Sequence, residues 1–211
     1  DEFFRRVRGL KLRHAQVAAF GNTRRAGVKP QDDPTLRALL DSGAPVVTLV
    51  GKASDFQVKK VLGTSLEENL AMIADSVGYL KAQGRRVFFD AEHFFDGYKS
   101  DPAYALQALR VAAQAGAERL VLCDTNGGTL PDEVARITAE VASPVGVLRS
   151  FDVLRTAQAQ DAQQGAALAG SRSPSPPPAP TGRPAGRGES LALGIHTHND
   201  TDTAVASALA A

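Results

Sequence analysis

The sequence predicts an α/β fold in which parallel strands, each followed by a helix, form a barrel rather than an open sheet. A unit of apolar strand, polar loop and helix recurs four times over about 130 residues. Its strands are apolar throughout instead of alternating, the pattern of parallel strands covered by helices. No Gly-x-Gly-x-x-Gly or Walker-type loop follows any strand, which disfavours the open, doubly wound nucleotide-binding sheet. In both parallel architectures ligands bind at the carboxyl ends of the strands, and here those ends carry the polar residues.

The elements follow in order. Phe3, Phe4, Val7 and Leu10 recur at helical spacing and predict an amphipathic helix within residues 1–12. Residues 15–20 form a short apolar strand that empties into Gly21-Asn22-Thr23-Arg24-Arg25, and residues 36–40 a short helix closed by Ser42-Gly43. The β-branched run 46–50 is the second strand, leading into Gly51-Lys52-Ala53-Ser54-Asp55. Ser65 with Glu68 three residues on is a capping-box pattern, opening a helix through Leu66, Leu70, Ile73, Val77 and Leu80 to Gly84. Residues 86–89 return to strand, ending in Asp90-Ala91-Glu92-His93; Asp101-Pro102 opens a helix to Gly116. Residues 120–123 are strand again, ending in Asp124-Thr125-Asn126-Gly127-Gly128, and 131–141 are helix.

The pattern stops at Ser143. Residues 171–188 hold six of the twelve prolines and no acidic residue, a composition that cannot bury enough apolar surface to offset its ordering entropy. The expected organisation is therefore residues 1–142 as the first part of a barrel, 143–190 as a disordered low-complexity insertion, and 191–211 as the barrel resumed. A chain beginning at Asp1 and stopping inside an apolar segment reads as a fragment or processed piece.

Composition excludes several classes. The 211 residues are 43% hydrophobic and 22% charged, ordinary for a globular protein. A net charge of +1 with scattered arginines argues against a nucleic-acid partner. No apolar run approaches the roughly 18 residues of a transmembrane helix, so no membrane partner is expected. The single cysteine, Cys123, rules out an intrachain disulfide and fits a reducing compartment; it reads as a buried strand residue.

The chemistry centres on Gly194-Ile195-His196-Thr197-His198-Asn199-Asp200, directly after the apolar run 191–193. On a strand, His196 and His198 project to one face about 7 Å apart and can grip one metal ion. Two imidazoles leave positions for a carboxylate and substrate oxygens, and the third protein ligand is not evident. Glu92, at the mouth of a strand among aromatic residues, is a candidate general base, or a helix-dipole or loop carboxylate paired with a nearby arginine. Asp90 shares its face. The loop 124–128 either holds a small carboxylate through its hydroxyl, amide and backbone N–H groups or is a turn closed by Asp and Asn. Arg24 and Arg25 suit a carboxylate or phosphate-bearing ligand, or structural ion pairs.

Taken together, residues 20–26, 48–52, 88–98, 122–130 and 194–200, in that order, resemble the citramalate synthases of the α-isopropylmalate and homocitrate synthase superfamily. The resemblance covers residues 1–141 and 191–211. It implies a partial TIM (β/α)8 barrel, about strands three to seven. It also implies a divalent metal (Mg, Mn or Zn) and a Claisen-type condensation of acetyl-CoA with an α-keto acid, here pyruvate, in isoleucine biosynthesis. Carried over, His196 and His198 match the metal ligands, Glu92 the active-site glutamate and Thr125 the substrate-contacting threonine; Arg24 is a candidate substrate contact from its guanidinium at the strand end. A cytoplasmic homodimer is expected of the full-length protein, with an organelle open. α-Isopropylmalate and homocitrate synthase are the nearest competing activities, and a non-catalytic partial barrel is the alternative of another class. The family's Asp-Thr-Thr-Leu-Arg-Asp-Gly strand, with its arginine and third metal ligand, is absent, so this chain alone is expected to lack condensation activity. Asn22 stands for a serine, Ala53 interrupts Gly-Lys-Ser, and Ser207 replaces an asparagine.

Overall fold

The structure, a computed structural model, describes residues 2–143 and 192–197. Strands β1 (Ala18–Asn22), β2 (Val46–Lys52), β3 (Arg86–Glu92), β4 (Arg119–Asp124) and β5 (Ala192–Thr197) form one sheet in the order β1-β2-β3-β4-β5, every pair parallel. Helices α1 (Glu2–Val7), α2 (Pro34–Asp41), α3 (Asp55–Gln57), α4 (Leu66–Ala82), α5 (Phe94–Ser100), α6 (Pro102–Gln114) and α7 (Pro131–Ala142) complete the described fold. Strictly sequential order has no switch point, which a doubly wound sheet requires. The fold is an arc of a parallel β/α barrel, as the apolar strands predict.

Alternation along each strand sorts the side chains onto two faces. Val47 and Leu49, Val87 and Phe89, and Leu120 and Leu122 are fully buried on the helix-covered face, against Ile73, Leu80, Leu109 and Ile137 of α4, α6 and α7. Phe89 is admitted because Gly51 on the adjacent strand has no Cβ; one there would lie 2.8 Å from the Phe89 ring. The second face carries Phe20, which is 65% exposed, and the half-buried Thr48 and Phe88. Arg86 and Arg119 stand over the Phe88 ring at 5.8 and 5.3 Å from its centroid, within cation–π range.

Side-chain caps start three of the helices. Asp33 accepts from Thr35 and Leu36 N–H at α2, and Asp101 from Tyr104 N–H at α6. At α4 the Ser65 hydroxyl accepts from Glu68 N–H at 3.1 Å. Glu68 does not complete a capping box, because its carboxylate binds Arg24 and the Gly27 N–H instead.

Three expectations are corrected. Helix α1 stops at Val7 and buries no residue, so nothing beyond its own turns holds residues 8–12 helical. Helices α3 and α5, and the π-helical turn Val58–Leu62, fall where loops were expected. The strands also run past their apolar cores: Gly51 and Lys52 pair with Ala91 and Glu92, and His196 and Thr197 with Cys123 and Asp124. Gly21, Asn22, Gly51 and Lys52, expected in loops, therefore stand on strand ends, while Asp90, Glu92 and His196 lie on strands as expected. The insertion expected over 143–190 and the residues from His198 onward lie outside the described residues, apart from Ser143 itself. No described helix is long and apolar enough to cross a membrane.

Candidate active site

The carboxyl ends of the strands gather the chemistry. Register places Lys52 beside Glu92 and Cys123 beside His196, all on the face away from the helices. One layer deeper on that face, Asp90 pairs with Val121, which pairs with Gly194.

Glu92 Oε2 lies 2.5 Å from Lys52 Nζ, with both side chains mostly buried. Glu92 is ion-paired, but with Lys52 rather than with the arginine expected. Both line a cavity of about 480 Å³ that runs toward β1 past Asn22, Thr23, Arg24 and Arg25. That volume suits a small ligand.

Arg24 lines the cavity but is committed elsewhere. Its guanidinium binds Asp75 through Nε at 2.9 Å and Nη2 at 2.8 Å, and Glu68 and the Arg25 carbonyl through Nη1 at 2.8 and 3.1 Å. With all three nitrogens engaged and the side chain 6% exposed, Arg24 ties the loop after β1 to α4, the ion-pair alternative of the sequence reading. Arg25 is the exposed guanidinium at this mouth, touching Asp33 at 3.4 Å.

Thr125 lies beside β3. Its hydroxyl accepts from His93 N–H at 2.8 Å, which leaves its own proton to donate. His93 makes this reach from a left-handed backbone, φ 57°. Burial, then the neighbouring Lys52, hold the His93 imidazole below its ordinary pKa, and its Nδ1 is buried without a hydrogen bond. The rest of the 124–128 loop is a turn: Asp124 accepts from the Thr129 N–H and hydroxyl, Gly127 has φ 64°, and Asn126 donates to Asp96.

His196 meets Asp90, with Nδ1 3.6 Å from Oδ2. Burial raises the Asp90 pKa above its ordinary value, and His196 opposes the rise. Cys123 is buried as expected, but it faces the chemistry, not the helices. Burial, then the Asp90 and Glu92 charges, push its thiol well up. Donor atoms of Asp90, Cys123 and His196 all lie within 4.8 Å of one another. A carboxylate, thiol and imidazole so grouped fit a divalent ion. His198 lies outside the described residues. Lys52, Asp90 and Cys123 were not assigned site roles from sequence. The available signal was parity: Asp90 shares its face with Glu92, whereas the Lys52–Glu92 and Cys123–His196 pairings depend on register.

Comparison with known proteins then decides the family. The HMGL-like family model matches residues 12–158. The chain belongs to the HMGL-like family. It is 55% identical over 146 residues to (R)-citramalate synthase from Streptomyces coelicolor, covering 69% of this chain and 27% of that protein. Homocitrate synthase from Sulfurisphaera tokodaii is 32% identical over 100 residues, covering 47% of this chain and 21% of that protein. The chain thus spans about a quarter of the length of these curated relatives. Among solved structures, hydroxymethylglutaryl-CoA lyase from Pseudomonas aeruginosa superposes with a TM-score of 0.51 at 22% identity, covering 67% of this chain and 44% of that one. That likeness shows the family's barrel fold.

Proposed function

We propose that this chain is part of an acyltransferase of the citramalate synthase type, condensing acetyl-CoA with pyruvate in isoleucine biosynthesis. The supporting observation is identity of about half to (R)-citramalate synthases over 139–149 residues, against about a third to homocitrate synthase over 100 residues.

In this reading Glu92 removes a proton from the acetyl methyl group. Lys52 engages Oε2 and fixes the carboxylate, leaving Oε1 to receive the proton. Thr125 donates its hydroxyl proton to the keto-acid carboxylate, its lone pair being anchored by His93 N–H. The nascent carbanion attacks the keto carbon, the resulting alkoxide is protonated, and hydrolysis of the thioester frees CoA. A divalent ion, Mg, Mn or Zn, would polarise the keto oxygen and stabilise the alkoxide. His196 and His198 are its proposed holders, His196 having Asp90 at its side. Arg24 acts here by holding the cavity wall. The whole protein is proposed to work as a cytoplasmic homodimer.

The test measures free thiol released from acetyl-CoA by the protein that carries this chain. Pyruvate should support release, and a branched keto acid or a keto diacid should support far less. Glu92→Gln should lower kcat by about 100-fold or more, the scale of a lost general base. Preference for a branched keto acid would move the assignment to α-isopropylmalate synthase, and release unaffected by Glu92→Gln would refute the base.

A further inference from the structure

We propose that Lys52 stabilises the enolate of acetyl-CoA, its ammonium donating to the thioester oxygen as Glu92 takes the methyl proton. The inference rests on the condensation reading and deepens it by giving Lys52 a catalytic task beyond fixing Glu92.

The geometry carries it. Lys52 and Glu92 are register partners on β2 and β3, side by side on the face away from the helices and on the wall of one cavity. The Lys52 side chain is 15% exposed, and among the described residues its ammonium has one ion-pair partner, Glu92 Oε2 at 2.5 Å. An ammonium has three N–H donors, so two remain for a ligand. The other basic groups at this end are placed differently. Arg24 is consumed by Glu68 and Asp75, Arg25 is exposed beside Asp33, and burial, then Lys52, hold the His93 imidazole below its ordinary pKa. In an acetyl thioester the methyl carbon and the carbonyl oxygen are about 2.4 Å apart, from bonds of about 1.5 and 1.2 Å meeting at about 120°. An acceptor and a donor standing side by side therefore engage both at once.

The charge balance favours this arrangement. As the methyl C–H bond breaks, the proton goes to Glu92 Oε1, the C–H electron pair forms the C=C bond, and the carbonyl π pair moves to oxygen. Glu92 becomes neutral as the thioester oxygen becomes negative, so Lys52 exchanges one anionic partner for another. The carbonyl oxygen is uncharged before the step, so the interaction strengthens in the transition state and accelerates it. Attack on the keto carbon returns the electron pair to the C=O bond, and Lys52 keeps its protons throughout. The backbone under both groups is fixed in advance. Lys52 O accepts from Nδ2 of the fully buried Asn69 at 2.9 Å, Asn69 Nδ2 also donates to Tyr104 OH at 2.8 Å, and Glu92 O accepts from Ala53 N–H at 2.9 Å. A donor so held needs little reorganisation when charge develops.

The experiment follows deuterium uptake into the acetyl methyl group by mass spectrometry, in deuterium oxide, with oxamate in the keto-acid position so that no condensation follows. It uses the protein that carries this chain and compares acetyl-CoA with its dithioester analogue, in which sulfur replaces the carbonyl oxygen. Lys52→Gln removes the cation but keeps an N–H for Glu92 Oε2. It should slow uptake by about 100-fold with acetyl-CoA and by less than about fivefold with the dithioester, because sulfur is a weak acceptor. Lys52→Met gives the same comparison if far-UV circular dichroism shows Lys52→Gln unfolded. Equal slowing with both substrates makes Lys52 a positioning residue for Glu92 only and overturns the proposal, as does uptake unchanged by Lys52→Gln. In either case loss of uptake in Glu92→Gln leaves the condensation reading intact. No uptake by the wild-type protein overturns both.

Discussion

Gly97→Ala tests how tightly the strand-end loops are packed. Gly97 lies in α5, and a Cβ there would stand 2.8 Å from Ser54 Cα and 3.0 Å from the Ala53 carbonyl carbon, closer still to the Ala53 oxygen. These are backbone atoms and cannot rotate away. Ordinary carbon–carbon contact is about 3.5–4.0 Å, so helix and loop must separate by about 1 Å. Both are anchored: Ala53 N–H donates to Glu92 O at 2.9 Å, Gly97 N–H to His93 O at 2.9 Å, and Asp101 N–H to Gly97 O at 2.7 Å. Overpacking against fixed backbone belongs at the upper end of the usual range, about 2–3 kcal/mol, or about 5–10 °C in Tm. Urea and thermal unfolding followed by far-UV circular dichroism measure the loss. Gly78→Ala is the control: a Cβ at this position within α4 meets nothing within 4 Å, so helix propensity should raise stability by about 0.5–1 kcal/mol. A Gly97→Ala protein within about 0.5 kcal/mol of wild type would refute the close approach of α5 to the backbone of Ala53 and Ser54.

Three further outcomes are expected. Arg24→Ala should cost about 2 kcal/mol in urea unfolding, less than a fully buried pair because Glu68 and Asp75 keep 31% and 47% of their exposure. His93 has a folded pKa below its unfolded value of about 6.5, so its contribution to stability is complete above that value and declines as pH falls toward the folded pKa. His93→Asn, which tolerates the left-handed backbone, should therefore flatten the loss of stability between about pH 7 and 5. Thr125→Val in the protein that carries this chain should raise the KM for the keto acid about tenfold, the cost of roughly one hydrogen bond, while Thr125→Ser stays near wild type.

Much of the fold could be read from the sequence because its signals are local. The apolar strand cores, the Ser65 and Asp101 caps and the helical runs behind them depend on neighbours within a turn or two. The ends of the strands were misread for a physical reason. Hydrophobicity stops at Val50, but backbone pairing does not, and Gly51 and Lys52 extend the ladder, with the Lys52 side chain on the face away from the helices. Helix α5 was missed because Asp96 and Gly97 interrupt its apolar run, although Phe94 and Phe95 are fully buried and fix it in place. Arg24 was legible as a cation at the correct end of the barrel, but not as one consumed by Glu68 and Asp75, which lie more than forty positions away.

The sequence by itself determined that parallel strands alternate with helices and that polar residues crowd one end of each strand. It also determined that Asp90 and Glu92 share a face, because side chains alternate with a period of two. Only the tertiary structure decided the partners. Register sets Lys52 against Glu92 and Cys123 against His196, and the packing of β3 to β5 brings Asp90 to 3.6 Å from His196. Register is fixed by hydrogen-bond ladders and core packing between segments distant in the chain, so no local pattern encodes which strand-end residues meet.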